Sequence, residues 1–301
     1  MATQLALMDS AADRIEGNGI TLAVDIAGPP DGPPVALFHG GGQTRHSWHH
    51  TAGVLAADGW RTYNTDLRGH GESDWDAKGD YSLDAFSSDV RAVARTLSER
   101  DPQHRLPALV GASLGGVSSL AAIAEVDEAV AGALVLVDVA PHIERGGADR
   151  IGAFMLEHMN DGFPDLDAVA DAIAAYNPHR PRPSNLDGLR KNLRQRDGRW
   201  YWHWDPKFIS GKRSSPDETR SIVDPDRLDA DARIIEARRL PTLLVRGRQS
   251  DLLSEEGARA FLDLVPHAEF VDVAGAGHMV AGDRNDLFND AVVTFLESVR
   301  G

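Results

Sequence analysis

Two hydrophobic patterns alternate along this chain. Short apolar runs with little polar interruption occupy Pro34 to Phe38 (PVALF), Pro107 to Val110, Ala133 to Val139 (ALVLVDV) and Pro241 to Val245 (PTLLV). Between them lie stretches with helical spacing, the clearest being Leu83 to Arg100 with Phe86, Val90, Val93, Ala94 and Leu97 on one stripe. Strands apolar on both faces, separated by helices, predict a parallel sheet covered on both sides, an α/β architecture. Ile20 to Ile26 and Arg61 to Asp66 add strands, and Ser47 to Asp58 and Leu114 to Ala124 add helices. Late in the chain the pattern returns as a helix over Ser254 to Leu264, a strand over Glu269 to Val273 and a helix over Leu287 to Val299.

From about His142 to Leu240 the pattern changes. Helical runs over Ile151 to Met159, Leu166 to Tyr176 and Leu186 to Arg194 are broken by loops rich in proline and basic residues, such as His179 to Pro183. No apolar strand like ALVLV occurs there. The expected division is therefore a core of residues 1–141 and 241–301, with residues 142–240 inserted as a helical cap over the sheet's C-terminal edge. Open α/β sheets bind their ligands at that edge.

Composition removes several function classes. The 301 residues carry a formal charge of −15, which opposes nucleic acid or an anionic membrane as partner. Cysteine is absent, so disulfides, thiolate catalysis and cysteine-ligated metals are excluded. The first sixteen residues hold Asp9, Asp13 and Glu16 and no basic leader, and no apolar stretch reaches membrane-spanning length. These features fit a cytoplasmic protein. Oligomeric state is open at this level.

The candidate chemistry centres on Gly111-Ala112-Ser113-Leu114-Gly115, a G-x-S-x-G string between an expected strand and an expected helix. A sharp turn there would hold the Ser113 hydroxyl outward, and the glycines permit the tight packing that such a turn needs. A serine needs a base, and the base needs an orienting carboxylate. His278, in Gly275-Ala276-Gly277-His278, follows the strand Glu269 to Val273. Asp251 follows PTLLV in a loop, which gives the order Ser113, Asp251, His278. Asp138, ending ALVLVD, competes for the same role; the loop position favours Asp251. Backbone N–H groups of Gly41, in Phe38-His39-Gly40-Gly41-Gly42, and of Leu114 are the expected oxyanion donors. The three glycines form no phosphate loop, because no Gly-Lys-Ser/Thr follows them. His39 reads as a ring that holds this loop. Asp66 to Ser73 (DLRGHGES), although dense in polar groups, reads as a self-stabilised turn. The adjacent His49 and His50 face different sides of a helix and suit no metal.

Together these blocks resemble the α/β-hydrolase superfamily, in its serine-nucleophile, carboxylesterase-like branch with a helical cap, related to cofactor-free haloperoxidases and epoxide hydrolases. The resemblance implies a mostly parallel eight-stranded sheet, no cofactor or metal, the triad Ser113, Asp251 and His278, and oxyanion donors at Gly41 and Leu114. It also implies hydrolysis of a carboxylic ester or lactone through an acyl-enzyme. Relatives that perform alkyl-enzyme chemistry carry aspartate at the position of Ser113. Carbon–carbon bond hydrolases, acyltransferases or perhydrolases and triad-bearing ligand receptors are the alternatives.

In Trp200-Tyr201-Trp202-His203-Trp204 an alternating run would align three tryptophans, as a pocket wall or as an anchor of the cap. Gly40, Trp202, Phe154 and Met279 are the expected substrate contacts. No cluster of Arg or Lys converges in the sequence, so the expected substrate is a small, uncharged acyl compound.

Overall fold

The structure, a computed structural model, describes residues 11–176, 182, 185–210, 224–277 and 286–300. Its strands in chain order are β1 (Ala11–Glu16), β2 (Thr21–Ala27), β3 (Pro34–Phe38), β4 (Arg61–Thr65), β5 (Ala108–Ala112) and β6 (Ala133–Val137). They continue with β7 (Leu193–Arg196), β8 (Arg199–Trp202), β9 (Thr242–Gly247) and β10 (Glu269–Val273). Eight of them form one sheet in the order β1-β2-β4-β3-β5-β6-β9-β10. The pairings β1–β2 and β2–β4 are antiparallel and the remainder are parallel, as the unbroken apolar runs require.

The helices are α1 (His49–Ala57), α2 (Leu83–Arg100), α3 (Leu114–Ala124), α4 (Arg145–Leu156), α5 (Leu166–Tyr176), α6 (Lys207–Ser210), α7 (Pro225–Ala237), α8 (Glu255–Leu264) and α9 (Asp286–Ser298). Side chains of α1 and α9, among them Leu55, Phe288 and Val292, pack on one face of the sheet against Val35, Val110 and Val245. Helices α2, α3, α7 and α8 cover the other face through residues such as Phe86, Leu120, Leu228 and Phe261. Every residue of α3 is buried, so this helix runs through the interior and its N-terminus is fixed. Full burial of each Leu, Val or Phe in these layers contributes about 1.5–3 kcal/mol. No described helix is long and apolar enough to cross a membrane.

The helix boundaries are set locally. Ser82 caps α2 by accepting the Ala85 N–H at 3.3 Å, and Ser254 caps α8 by accepting the Gly257 N–H at 3.1 Å. Pro225 occupies the first turn of α7, with Asp224 as cap.

Between β6 and β9 the expected helix over Leu186 to Arg194 is replaced by a 3₁₀ helix, Leu186–Asn192, followed by β7. The hairpin β7–β8 turns at Asp197 (φ 51°) and Gly198 (φ 76°), a two-residue loop that matches the twist of its strands. A small separate apolar cluster, Phe163, Leu166, Val169 and Leu193, supports this segment.

Candidate active site

The register of the central strands decides what meets at the sheet's C-terminal edge. Ala112 of β5 lies opposite Val137 of β6, and the Ser113 N–H donates to the Val137 carbonyl at 3.1 Å. Ser113 and Asp138 thus leave adjacent strands at one level, and both have left-handed backbone, with φ of 46° and 52°. For non-glycine residues such a conformation is strained and needs a rigid setting. Glycines supply it: a Cβ on Gly111 would run into the Gly115 backbone, and one on Gly115 would run into the Phe38 carbonyl. Ser113 is half-buried at the start of α3.

The glycine loop after β3 lies beside it. A Cβ on Gly40 would lie 3.5 Å from the Ser113 Cβ. The Gly40 N–H donates to Gln43 Oε1 at 3.1 Å, and the Gly42 N–H donates to His70 Nε2 at 3.0 Å. Between these two, the Gly41 N–H has no hydrogen bond among the described residues, nor does the Leu114 N–H at the helix start.

Two buried imidazoles hold this arrangement. His39 donates from Nδ1 to the Gly40 carbonyl at 2.8 Å and accepts the Leu67 N–H on Nε2 at 3.0 Å. His70 donates from Nδ1 to the Arg68 carbonyl at 2.9 Å and accepts from Gly42. Each ring uses one nitrogen as donor and the other as acceptor, which requires the neutral tautomer. Burial pushes His39 down to about 4 and His70 to about 3, the latter helped by its neighbour His39. His39 therefore serves the loop, as its position in the sequence suggested, and His70 is a second support that the sequence did not reveal. In the surrounding turn, the Asp66 carboxylate accepts N–H groups of Arg45 at 2.6 Å and Glu72 at 3.0 Å and pairs with the Arg45 side chain. Ser73 closes the turn on the Asp66 carbonyl at 2.7 Å, and Arg68 grips Asp89 in a buried ion pair at 2.6 Å. These groups are consumed by structure.

The two candidate carboxylates differ in setting. Asp138 is fully buried; its Oδ1 accepts the Gly247 N–H at 3.0 Å and its Oδ2 accepts the Ser250 hydroxyl at 2.5 Å. Asp251 is partly exposed, and its carboxylate pairs with Arg150 on α4 while its carbonyl lies against Gly147 of the same helix. Its charge, after burial, raises the phenol of Tyr176 on α5. Asp251 therefore faces the inserted segment. The loop leading toward position 278 touches the same region, with the Gln249 N–H donating to the Ala276 carbonyl at 2.8 Å. His278 and Met279 lie outside the described residues.

Side chains of the inserted segment lie over the glycine loop. The Phe208 ring comes within 3.4 Å of where a Cβ on Gly41 would stand, and the Met155 methyl within 2.9 Å of that on Gly42. The three tryptophans divide their work. Trp204 is 3% exposed, pairs with His70 through backbone and packs edge-on against Phe208, so it anchors. Trp200 lies beneath the Arg190 guanidinium. Trp202 meets Phe154 at 5.5 Å and Phe163 at 5.2 Å, and Phe154 stacks on Tyr176 at 4.4 Å.

A family model described as alpha/beta hydrolase fold matches residues 33–284. The chain belongs to this α/β-hydrolase family. An esterase of Mycobacterium tuberculosis is 32% identical over 259 residues, covering 84% of this chain and 78% of its own. A 3-hydroxybutyrate-oligomer hydrolase of Cupriavidus necator is 29% identical over 261 residues, covering 83% of this chain and 84% of its own. The crystal structure of an E-2-(acetamidomethylene)succinate hydrolase superposes with a TM-score of 0.78 at 25% identity, covering 96% of this chain and 99% of that one.

Proposed function

We propose that this α/β-hydrolase is a serine esterase that cleaves a carboxylic ester or lactone through an acyl-enzyme on Ser113. The observation that carries the proposal is the free N–H of Gly41 between two neighbours whose N–H groups are taken by side chains, next to a strained serine at a helix start. Two unengaged donors beside the serine, Gly41 and Leu114, are what acyl transfer needs, and each such donor is worth about 2.7–4 kcal/mol in barrier. The relatedness to an esterase and to a hydrolase of hydroxybutyrate oligomers supports ester chemistry.

In the proposed sequence, His278 takes the Ser113 proton as the oxygen attacks the carbonyl. The tetrahedral oxygen rests on the Gly41 and Leu114 N–H groups, and the same imidazole protonates the leaving alkoxide. Water, deprotonated by His278, then releases the acid. For the orienting carboxylate the reading moves from Asp251 to Asp138. Asp138 is buried and stands level with Ser113 at the end of the adjacent strand, where its carboxylate accepts from Gly247 and Ser250. Asp251 is neutralised by Arg150, which suits a tie between the core and the inserted residues 142–240. We assign that segment as the cap, with Gly40 and Phe208 bordering the acyl site.

The test is turnover of p-nitrophenyl butyrate together with fluorophosphonate labelling. Ser113→Ala should abolish both while the melting temperature stays within a few degrees of the parent. Full turnover or labelling in that variant would overturn the assignment.

A further inference from the structure

The cap hairpin holds two guanidinium groups that no carboxylate answers among the described residues. Arg194 and Arg196 occupy alternate positions of β7, so both side chains leave the same face. The Arg194 guanidinium lies 3.9 Å from the centre of the Trp75 ring, and that of Arg196 lies 4.4 Å from Tyr201. Among the described residues, neither forms a hydrogen bond or an ion pair. Asp205 is the nearest compensating charge, and its oxygens already accept the Tyr81 hydroxyl at 2.6 Å and the Lys207 N–H at 3.0 Å.

Both arginines line a cavity of about 30 Å³ with Tyr201, Trp202, Met159 and Trp204, and among the described residues no acidic side chain lines it. The wall thus offers two cations and a phenol, which is the chemistry of an anion receptor. A water needs roughly 10–15 Å³ of such space, so the cavity suits about two oxygen-sized groups. That matches a carboxylate better than the four oxygens of a phosphate. Burial and the neighbouring Arg196 charge hold Arg194 below the usual arginine range, which an incoming anion would relieve. With a net charge of −15 on the whole chain, attraction of an anion has to be local.

The cavity adjoins the proposed acyl site through its walls. Met155, four residues before Met159, meets Gly42, and Phe208, packed on Trp204, meets Gly41. We infer that the substrate carries a free carboxylate at some distance from its scissile acyl group, and that Arg194 and Arg196 receive it. This inference rests on the reading of Ser113 as the hydrolytic centre. It replaces the uncharged substrate expected from sequence, where the two arginines could not be seen to converge.

The experiment compares the p-nitrophenyl monoester of glutaric acid with p-nitrophenyl valerate, alike in length and different in charge. The kcat/KM ratio of acid to neutral ester should exceed about ten, the effect of one modest charge contact. It should fall at least about tenfold in Arg194→Met, which keeps the stem over Trp75, and recover in part in Arg194→Lys. A ratio below one, or a ratio that Arg194→Met leaves unchanged, would overturn the inference. An independent arm titrates Ser113→Ala protein with glutarate and follows tryptophan fluorescence. Saturable binding weakened by Arg194→Met is expected; no saturation, or equally strong saturation by inorganic phosphate, would also overturn it. If neither ester is cleaved, the hydrolase reading fails and the glutarate titration still decides the carboxylate site.

Discussion

The sheet's C-terminal edge and the segment above it are held by different means. At the edge, main-chain groups are fixed by main-chain neighbours and by two neutral imidazoles, within a buried frame. Above it, the hairpin and helices α4 and α5 are held by ring faces, stacked guanidiniums and the Arg150–Asp251 pair at a partly exposed seam. On the proposed assignment, the edge tolerates little displacement, as reaction geometry demands, whereas the segment can vary its side chains and so choose substrates. Change at the edge should therefore remove turnover, and change above it should alter preference.

The two aspartates put that contrast to its hardest test, since Asp138 lies within the edge and Asp251 on its seam with the inserted segment. We expect Asp138→Asn to lower kcat by about 10³–10⁴-fold, the range for loss of a triad carboxylate. The ascending limb of the kcat/KM profile should also move to lower pH, because the imidazolium loses its counter-charge. Asp251→Asn should cost less than about tenfold and leave that limb in place. Steady-state kinetics across pH on both variants checks this, and the reverse ranking would return the acid to Asp251.

Glycine substitutions separate the regions by stability. Alanine at Gly115 drives its Cβ into the Phe38 carbonyl, a backbone atom that cannot yield, so an overpacking loss of about 1–3 kcal/mol or more is expected. Gly152, within α4, has no atom within 4 Å of an added Cβ. There alanine should stabilise by roughly 0.4–1 kcal/mol through helix propensity and a less flexible unfolded chain. Urea unfolding midpoints of the two variants should move in opposite directions.

How legible each region was in the sequence follows the same division. The strands Pro34–Phe38 and Glu269–Val273 and the helices Leu83–Arg100 and Leu114–Ala124 have the bounds expected from their patterns. Burial on both faces leaves an apolar run little freedom of interpretation. The tight packing expected at Gly111 and Gly115 is present, because G-x-S-x-G encodes a local backbone demand. The hairpin was misread because Leu186, Leu189 and Leu193 imitate helical spacing, although Asp197-Gly198 carried the turn signal. Helix Pro225–Ala237 and strand Ala11–Glu16 had no place in the expected order, being dense in charge. His70 and the Arg194–Arg196 cavity could not be read at all. Their meaning depends on contacts with Gly42 and Trp75, positions brought near only by folding.

The imidazole supports give the edge an acid sensitivity of its own. His39 and His70 are neutral in the folded chain, with values near 4 and 3, against about 6.5 when unfolded. Below pH 6.5 the unfolded chain takes up protons that the native chain refuses, so stability falls as pH drops from 6.5 toward 4. The limiting slope is about 1.4 kcal/mol per pH unit for each ring. Asp231, pushed up to about 6 by burial, works in the opposite sense between its unfolded value near 3.8 and 6, since there the native state holds the extra proton. The comparison of parent with His70→Gln cancels that contribution. Unfolding free energies from urea titrations at several pH values between 4 and 7 should show a shallower slope in the variant. Parallel slopes would mean that the neutral ring between Arg68 and Gly42 is not what ties the glycine loop to pH.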